Sequence, residues 1–148
     1  MATTASTNTL NSLLRGETAA IESYKQALSS FDDATVRGEL RRIQGEHEAS
    51  VSRLRELVLD RDAEPSETSG TWGYWASLFT GAAQLLGDGT TLGALRTGEE
   101  HGVSDYESAL KDDDVSEEVK TVIRQTLLPR CQSHVAALNV LIDRLGKS

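Results

Sequence analysis

Two glutamates and two histidines stand in this 148-residue chain where apolar residues are expected. Glu17 follows Leu13 and Leu14 and precedes Ile21, and Glu99 lies between Leu95 and Val103. His47 is framed by Ile43 and Val51, and His134 by Cys131 and Leu138. At a spacing of three or four, each falls on the apolar face of a helix, the face that packs inward. Turning a carboxylate or an imidazole into a core is costly unless the group is paired or ligates a cation. Two carboxylates and two imidazoles converging from different helices form a donor set for Fe(II), Zn(II) or Mn(II). A metal-free core in which each Glu hydrogen-bonds a His accounts for the same residues, and both readings stay open. Two secondary candidates lie alongside. Cys131, one turn before His134, either adds a thiolate that tilts the choice towards zinc or is a small buried hydrophobe. Glu46, next to His47, reaches the site if it swings inward. Glu100 and His101 lie off the stripe and are expected to face solvent, and Tyr24 and Tyr106 are expected as core tyrosines.

Long helices must position these groups. A first apolar stripe runs Leu10, Leu13, Leu14, Ala20, Ile21, Tyr24, Leu28 and Phe31, starting near Thr9 behind a small polar tail of residues 1–8 that is expected to be disordered. Asp32-Asp33 breaks it and caps a second helix from about Thr35 to Asp62, whose solvated face carries Arg37, Arg41, Glu48, Arg55 and Glu56. Residues 63–71 are rich in turn formers. The apolar stretch Trp72–Leu86 reads as a crossover with a short helix lying on the bundle; its alternative use is as a dimer contact. A third helix from Thr90 or Thr91 ends at Asp112-Asp113-Asp114, and Ser116-Glu117-Glu118 opens a fourth. Pro129 interrupts that fourth helix, so a kink or lost hydrogen bonding is expected near Gln125.

The strongest organising feature is a repeat. Gly16-Glu17, Ile21, Tyr24 and Ala27-Leu28 recur as Gly98-Glu99, Val103, Tyr106 and Ala109-Leu110, and the helix after each copy carries a His on its core stripe. The expected fold is therefore all-α: a four-helix bundle of two helical hairpins related by a pseudo-twofold, joined by a long crossover. One domain spans residues 9–145, with Glu17, His47, Glu99 and His134 at one level.

Glu17-x-x-Ala20-Ile21-x-x-Tyr24 resembles the Glu-x-x-Ala-Ile-x-x-Tyr of the first helix of bacterioferritins. With the hairpin, crossover, hairpin order, the chain resembles the ferritin-like superfamily over residues 9–145, particularly bacterioferritins and rubrerythrins, and most nearly a bacterial branch of it. The resemblance implies a metal centre in the core and a role in iron handling or defence against oxidative stress. The chain departs from the family's di-iron pattern at two positions. Where the family has Glu-x-x-His on the second and fourth helices, Gln44 precedes His47 and Cys131 precedes His134. Both bridging carboxylates are missing, which leaves a mononuclear site of Glu17, His47, Glu99 and His134. Metal binding is the leading reading. Oxidase or peroxidase activity requires, in addition, a redox metal with open coordination positions. The rival is a non-metal bundle that dimerises or binds a partner.

Composition sets the outer limits. A net charge of −8 leaves nothing to neutralise a phosphate backbone or an anionic membrane, so neither nucleic acid nor membrane is an expected partner. The single cysteine excludes a disulfide within the chain. With no signal-like segment and no apolar run of spanning length, the expected location is a reducing cytoplasm.

Overall fold

The computed structural model describes residues 4–66, 75 and 87–146, and every structural statement below refers to those residues. They are all-α. Helix α1 spans Thr4–Leu28, α2 Ala34–Leu59 and α3 Asp88–Lys111. A fourth rod begins as α4, Glu117–Val122, passes through a π-helical turn at Ile123–Leu127 and continues as α5, Leu128–Gly146. No helix is long and apolar enough to cross a membrane.

The caps follow the sequence. Asp33 accepts a hydrogen bond from the Val36 amide at 3.0 Å and starts α2; Ser116 does the same for Val119 and starts α4. Arg37, expected on the solvated face, instead reaches back and donates to the carbonyls of Leu28 and Phe31 (the latter at 3.0 Å), satisfying acceptors freed where α1 ends. Helix α1 starts earlier than expected, since residues 4–8, read as a tail, form its first turns. Tertiary contact explains the extension: Leu10 is fully buried, and Asn11 is tied at both ends of its amide to the loop after α2, through the Glu64 carbonyl and the Ser66 amide.

Pro129 acts as expected, in a specific form. It has no N–H to offer the Gln125 carbonyl. The chain widens instead, and the Leu128 amide bonds the Ile123 carbonyl five residues back. This adjustment keeps Ile123, Leu127, Cys131, His134, Leu138 and Leu141 all buried on one inner face. The crossover expected over Trp72–Leu86 lies outside the described residues except for Trp75, which is helical and buried.

Two apolar clusters fill the core. One joins Tyr24 and Ala27 of α1 to Val36, Leu40 and Ile43 of α2, Leu92 and Leu95 of α3, and Leu138 and Leu141 of α5. The other joins Leu10 and Leu14 to Leu54, Leu57 and Val58, and both to Tyr106, Val119, Ile123 and Leu127. The start of α1 thus meets the end of α2, and the start of α3 meets the end of α5, so each hairpin is antiparallel. Each fully buried Leu or Ile contributes about 1.5–3 kcal/mol. On every rod the switch from one cluster to the other happens at a polar residue: Glu17, His47, Glu99 or His134.

Candidate metal centre

These four residues form a buried polar layer between the two apolar clusters, with exposures of 5, 3, 0 and 0%. His47 sits between the two glutamates. Its Nδ1 donates to Glu17 Oε2 at 2.5 Å, and its Nε2 donates to Glu99 Oε1. His134 lies on the other side of Glu99, with Nδ1 3.1 Å from Oε2 and 3.2 Å from Oε1. The two imidazole rings are 4.7 Å apart, centroid to centroid.

Two tyrosines complete the layer by crossing between hairpins. Tyr24, from the Glu17 helix, donates to Glu99 Oε1 at 3.2 Å; Tyr106, from the Glu99 helix, donates to Glu17 Oε1 at 2.7 Å. The reciprocity follows from the repeat: a residue seven after the glutamate lies two turns on, on the same face, and meets the other hairpin. Both are buried, as expected of core tyrosines; what the sequence argument missed is their bonds to the opposite glutamates. The signal was present in the matched Glu–Tyr spacing of both copies.

Electrostatics hold the layer charged. Burial alone would drive a proton off His47, but the carboxylates of Glu99 and Glu17 outweigh it and lift the ring to about 10. Burial alone would likewise neutralise Glu99, but His47 and His134 hold its carboxyl down at about 2. Burial, reinforced by the same carboxylates, pushes both tyrosine hydroxyls and the Cys131 thiol well above their usual values.

His47, Glu99 and His134 lie close enough to hold a metal, with one donor atom from each all within 4.8 Å of one another. Donors sharing an ion at about 2.1 Å stand no more than about 4.2 Å apart. Small side-chain rotations would therefore let these three residues hold an ion. Glu17 lies beyond that trio, on the far nitrogen of His47. Glu46 turns inward and its Oε1 stands 2.8 Å from His134 Nε2, while Arg42 holds its other oxygen at 3.0 Å. Gln44 is turned away towards Glu48. Cys131 is buried but stands outside the donor trio; it lines a cavity that also reaches Glu17, His47 and Glu99. Glu100 and His101 are exposed.

Compared with known proteins, residues 5–112 match a family described as a domain of unknown function (DUF2383). The matched span carries Glu17, His47 and Glu99 and stops before the rod that brings His134. No curated protein and no solved structure matches the chain.

Proposed function

The chain belongs to the DUF2383 family, and from that premise we propose that it is a ferritin-like bundle protein that binds one divalent metal ion in its core. His47, Glu99 and His134 are the ligands, and Glu17, on the far nitrogen of His47, orients that ring from outside the trio. The observation that carries this reading is the convergence of those three donors, all buried, within 4.8 Å. The chemistry of the set fits: imidazole and carboxylate together suit Zn(II), Fe(II) and Mn(II). Tyr24 and Tyr106 donate to the same carboxylates from behind, the kind of outer hydrogen bond that orients ligands. The reciprocal Glu–His–Tyr pattern supports the ferritin-like arrangement, and iron handling is the physiological role most in keeping with it. A bound ion would supply Lewis acidity. The chain's own residues fix the donors and hold a proton at His47 between the two carboxylates.

Metal analysis of protein purified without added metal, followed by melting curves during titration with Zn(II), Fe(II) or Mn(II), tests this. A ligand present at a hundredfold its dissociation constant adds about 2.7 kcal/mol, or about 5–10 °C in Tm for a chain of this size. The parent should show such a rise and His47→Ala should not. An unresponsive parent defeats the metal reading.

One observation favours a second reading. Every buried side-chain nitrogen and oxygen of the layer already has a hydrogen-bond partner. A fully partnered polar layer fixes the register of four rods without an ion, and the protein would then act as a dimerising or partner-binding bundle. The unresponsive parent is the outcome that selects it.

A further inference from the structure

Among the described residues the polar layer is not sealed. A cavity runs in between α1 and α3, past half-buried Gly16 and Gly102 and exposed Asp105, to reach Glu17, His47 and Glu99. It offers about 30 Å³ to the centre of a water-sized molecule. One water needs about 10–15 Å³ on that measure, so the space admits a guest of about one to three non-hydrogen atoms. Leu13 and Ala20 make part of the wall apolar.

Trp75 makes another part, and its placement depends on Gly98. The indole lies over Gly98 so closely that a Cβ there would meet ring carbons at 2.4–2.6 Å. No residue other than glycine fits beneath it without moving the ring. The ring also stands edge-on to His47, centroids 6.4 Å apart. The repeat makes the arrangement informative. Gly98 precedes Glu99 as Gly16 precedes Glu17, yet a Cβ on Gly16 would meet nothing within 4 Å. Among the described residues the same notch is filled by an indole in one half and left open in the other, and both glycines line the cavity.

We infer that this cavity is a subsite for a small Lewis base of one to three non-hydrogen atoms, presented to the metal ligands, and that Trp75, admitted by Gly98, sets its size limit. The occupant's role as an additional ligand rests on the metal reading. The size limit does not, because Cys131 lines the same cavity and reports on access to it in the absence of any ion.

The test uses metal-free, full-length protein and two neutral oxidants of the same chemistry, hydrogen peroxide and tert-butyl hydroperoxide. In each case the thiol gives up its proton, the sulfur attacks the O–O bond to form the sulfenic acid, and the leaving hydroxide or tert-butoxide takes up that proton as water or tert-butanol. Loss of the single thiol is followed after a denaturing quench, and each rate is divided by that for the urea-unfolded chain. The parent should favour hydrogen peroxide by at least tenfold. Trp75→Ala should bring the two reagents within about threefold, and Trp75→Leu serves if that variant does not fold. Leu138→Ala, which weakens the fold at a residue outside the cavity lining, should keep the parent's selectivity. A parent that excludes both reagents alike, an unchanged ratio in the Trp75 variant, or an equal loss in Leu138→Ala overturns the inference. In a second arm, cobalt-loaded parent should change its visible spectrum with azide and not with imidazole, whereas Trp75→Ala should respond to both. A parent whose spectrum responds to imidazole as well overturns the size limit. Failure to take up cobalt counts against the metal reading, and the thiol arm still decides the size limit.

Discussion

Replacing Glu99 with Gln removes one charge from the most connected side chain of the layer and leaves its shape in place. Glu99 is fully buried and meets His47, His134 and Tyr24. An amide keeps an acceptor for Tyr24, but it leaves His47 with only Glu17 as a counter-charge. Two estimates of the cost agree. Breaking a buried ion pair by removing one partner costs about 3–5 kcal/mol. Independently, the carboxyl is held from 4.5 down to about 2. Each pH unit of displacement is worth 1.36 kcal/mol, so that fall corresponds to about 3 kcal/mol. The sign is that of a depressed carboxyl: the stabilisation is present above about pH 4.5 and is lost as pH falls through about 2. Urea melts at pH 7 in the presence of chelator should therefore show Glu99→Gln weaker by about 3–5 kcal/mol with an unchanged m-value. Between pH 4.5 and 2 the parent should lose that advantage and the two curves converge. A loss under about 1 kcal/mol at pH 7, or curves that stay parallel into acid, would refute the account of Glu99 as an ionised, paired group.

The same chelated protein should weaken at the alkaline end. His47 is raised from 6.5 to about 10, so its contribution is complete below about pH 6.5 and disappears as pH rises through about 10; urea melts of His47→Gln should lack that decline. Because a cation must displace the His47 proton, metal affinity measured by calorimetry should rise with pH and binding should release protons, and pH-independent affinity would contradict the proposed ligand. Leu138→Ala, fully buried in the apolar cluster beside the layer, should cost about 2–5 kcal/mol, and a change under about half a kcal/mol would mean that its face is misassigned. Gln44→Glu with Cys131→Glu restores two carboxylates one turn from each histidine; bound metal per chain, by elemental analysis, should rise from one towards two, and an unchanged ratio would count against Gln44 and Cys131 as the reason for a single site.

Much of the architecture is determined by the sequence acting alone. The period of a helix fixes which side of its own axis each residue occupies, so polar residues at three-or-four spacing within apolar stripes identify Glu17, His47, Glu99 and His134 as inward-facing before any fold is known. The repeat adds that the two halves face each other in the same way, and Asp33 and Ser116 mark helix starts by their own side-chain chemistry. What lay beyond reach were the relations between helices. A helical period says nothing about the distance or rotation between axes, and those decide that His47 lies between both glutamates, that Tyr24 and Tyr106 exchange partners, and that Glu46 turns towards His134 while Gln44 turns away. The start of α1 at Thr4 depends on burial of Leu10 and on Asn11 holding the loop after α2, contacts made by residues more than fifty positions distant. Pro129 announces a fault in its helix, but only the need to keep Cys131, His134 and Leu138 buried with Ile123 and Leu127 makes that fault a π-helical turn. Local chemistry chose the elements and their inner faces; packing between them chose the partners, because a side chain's contacts depend on what the neighbouring helix brings within reach.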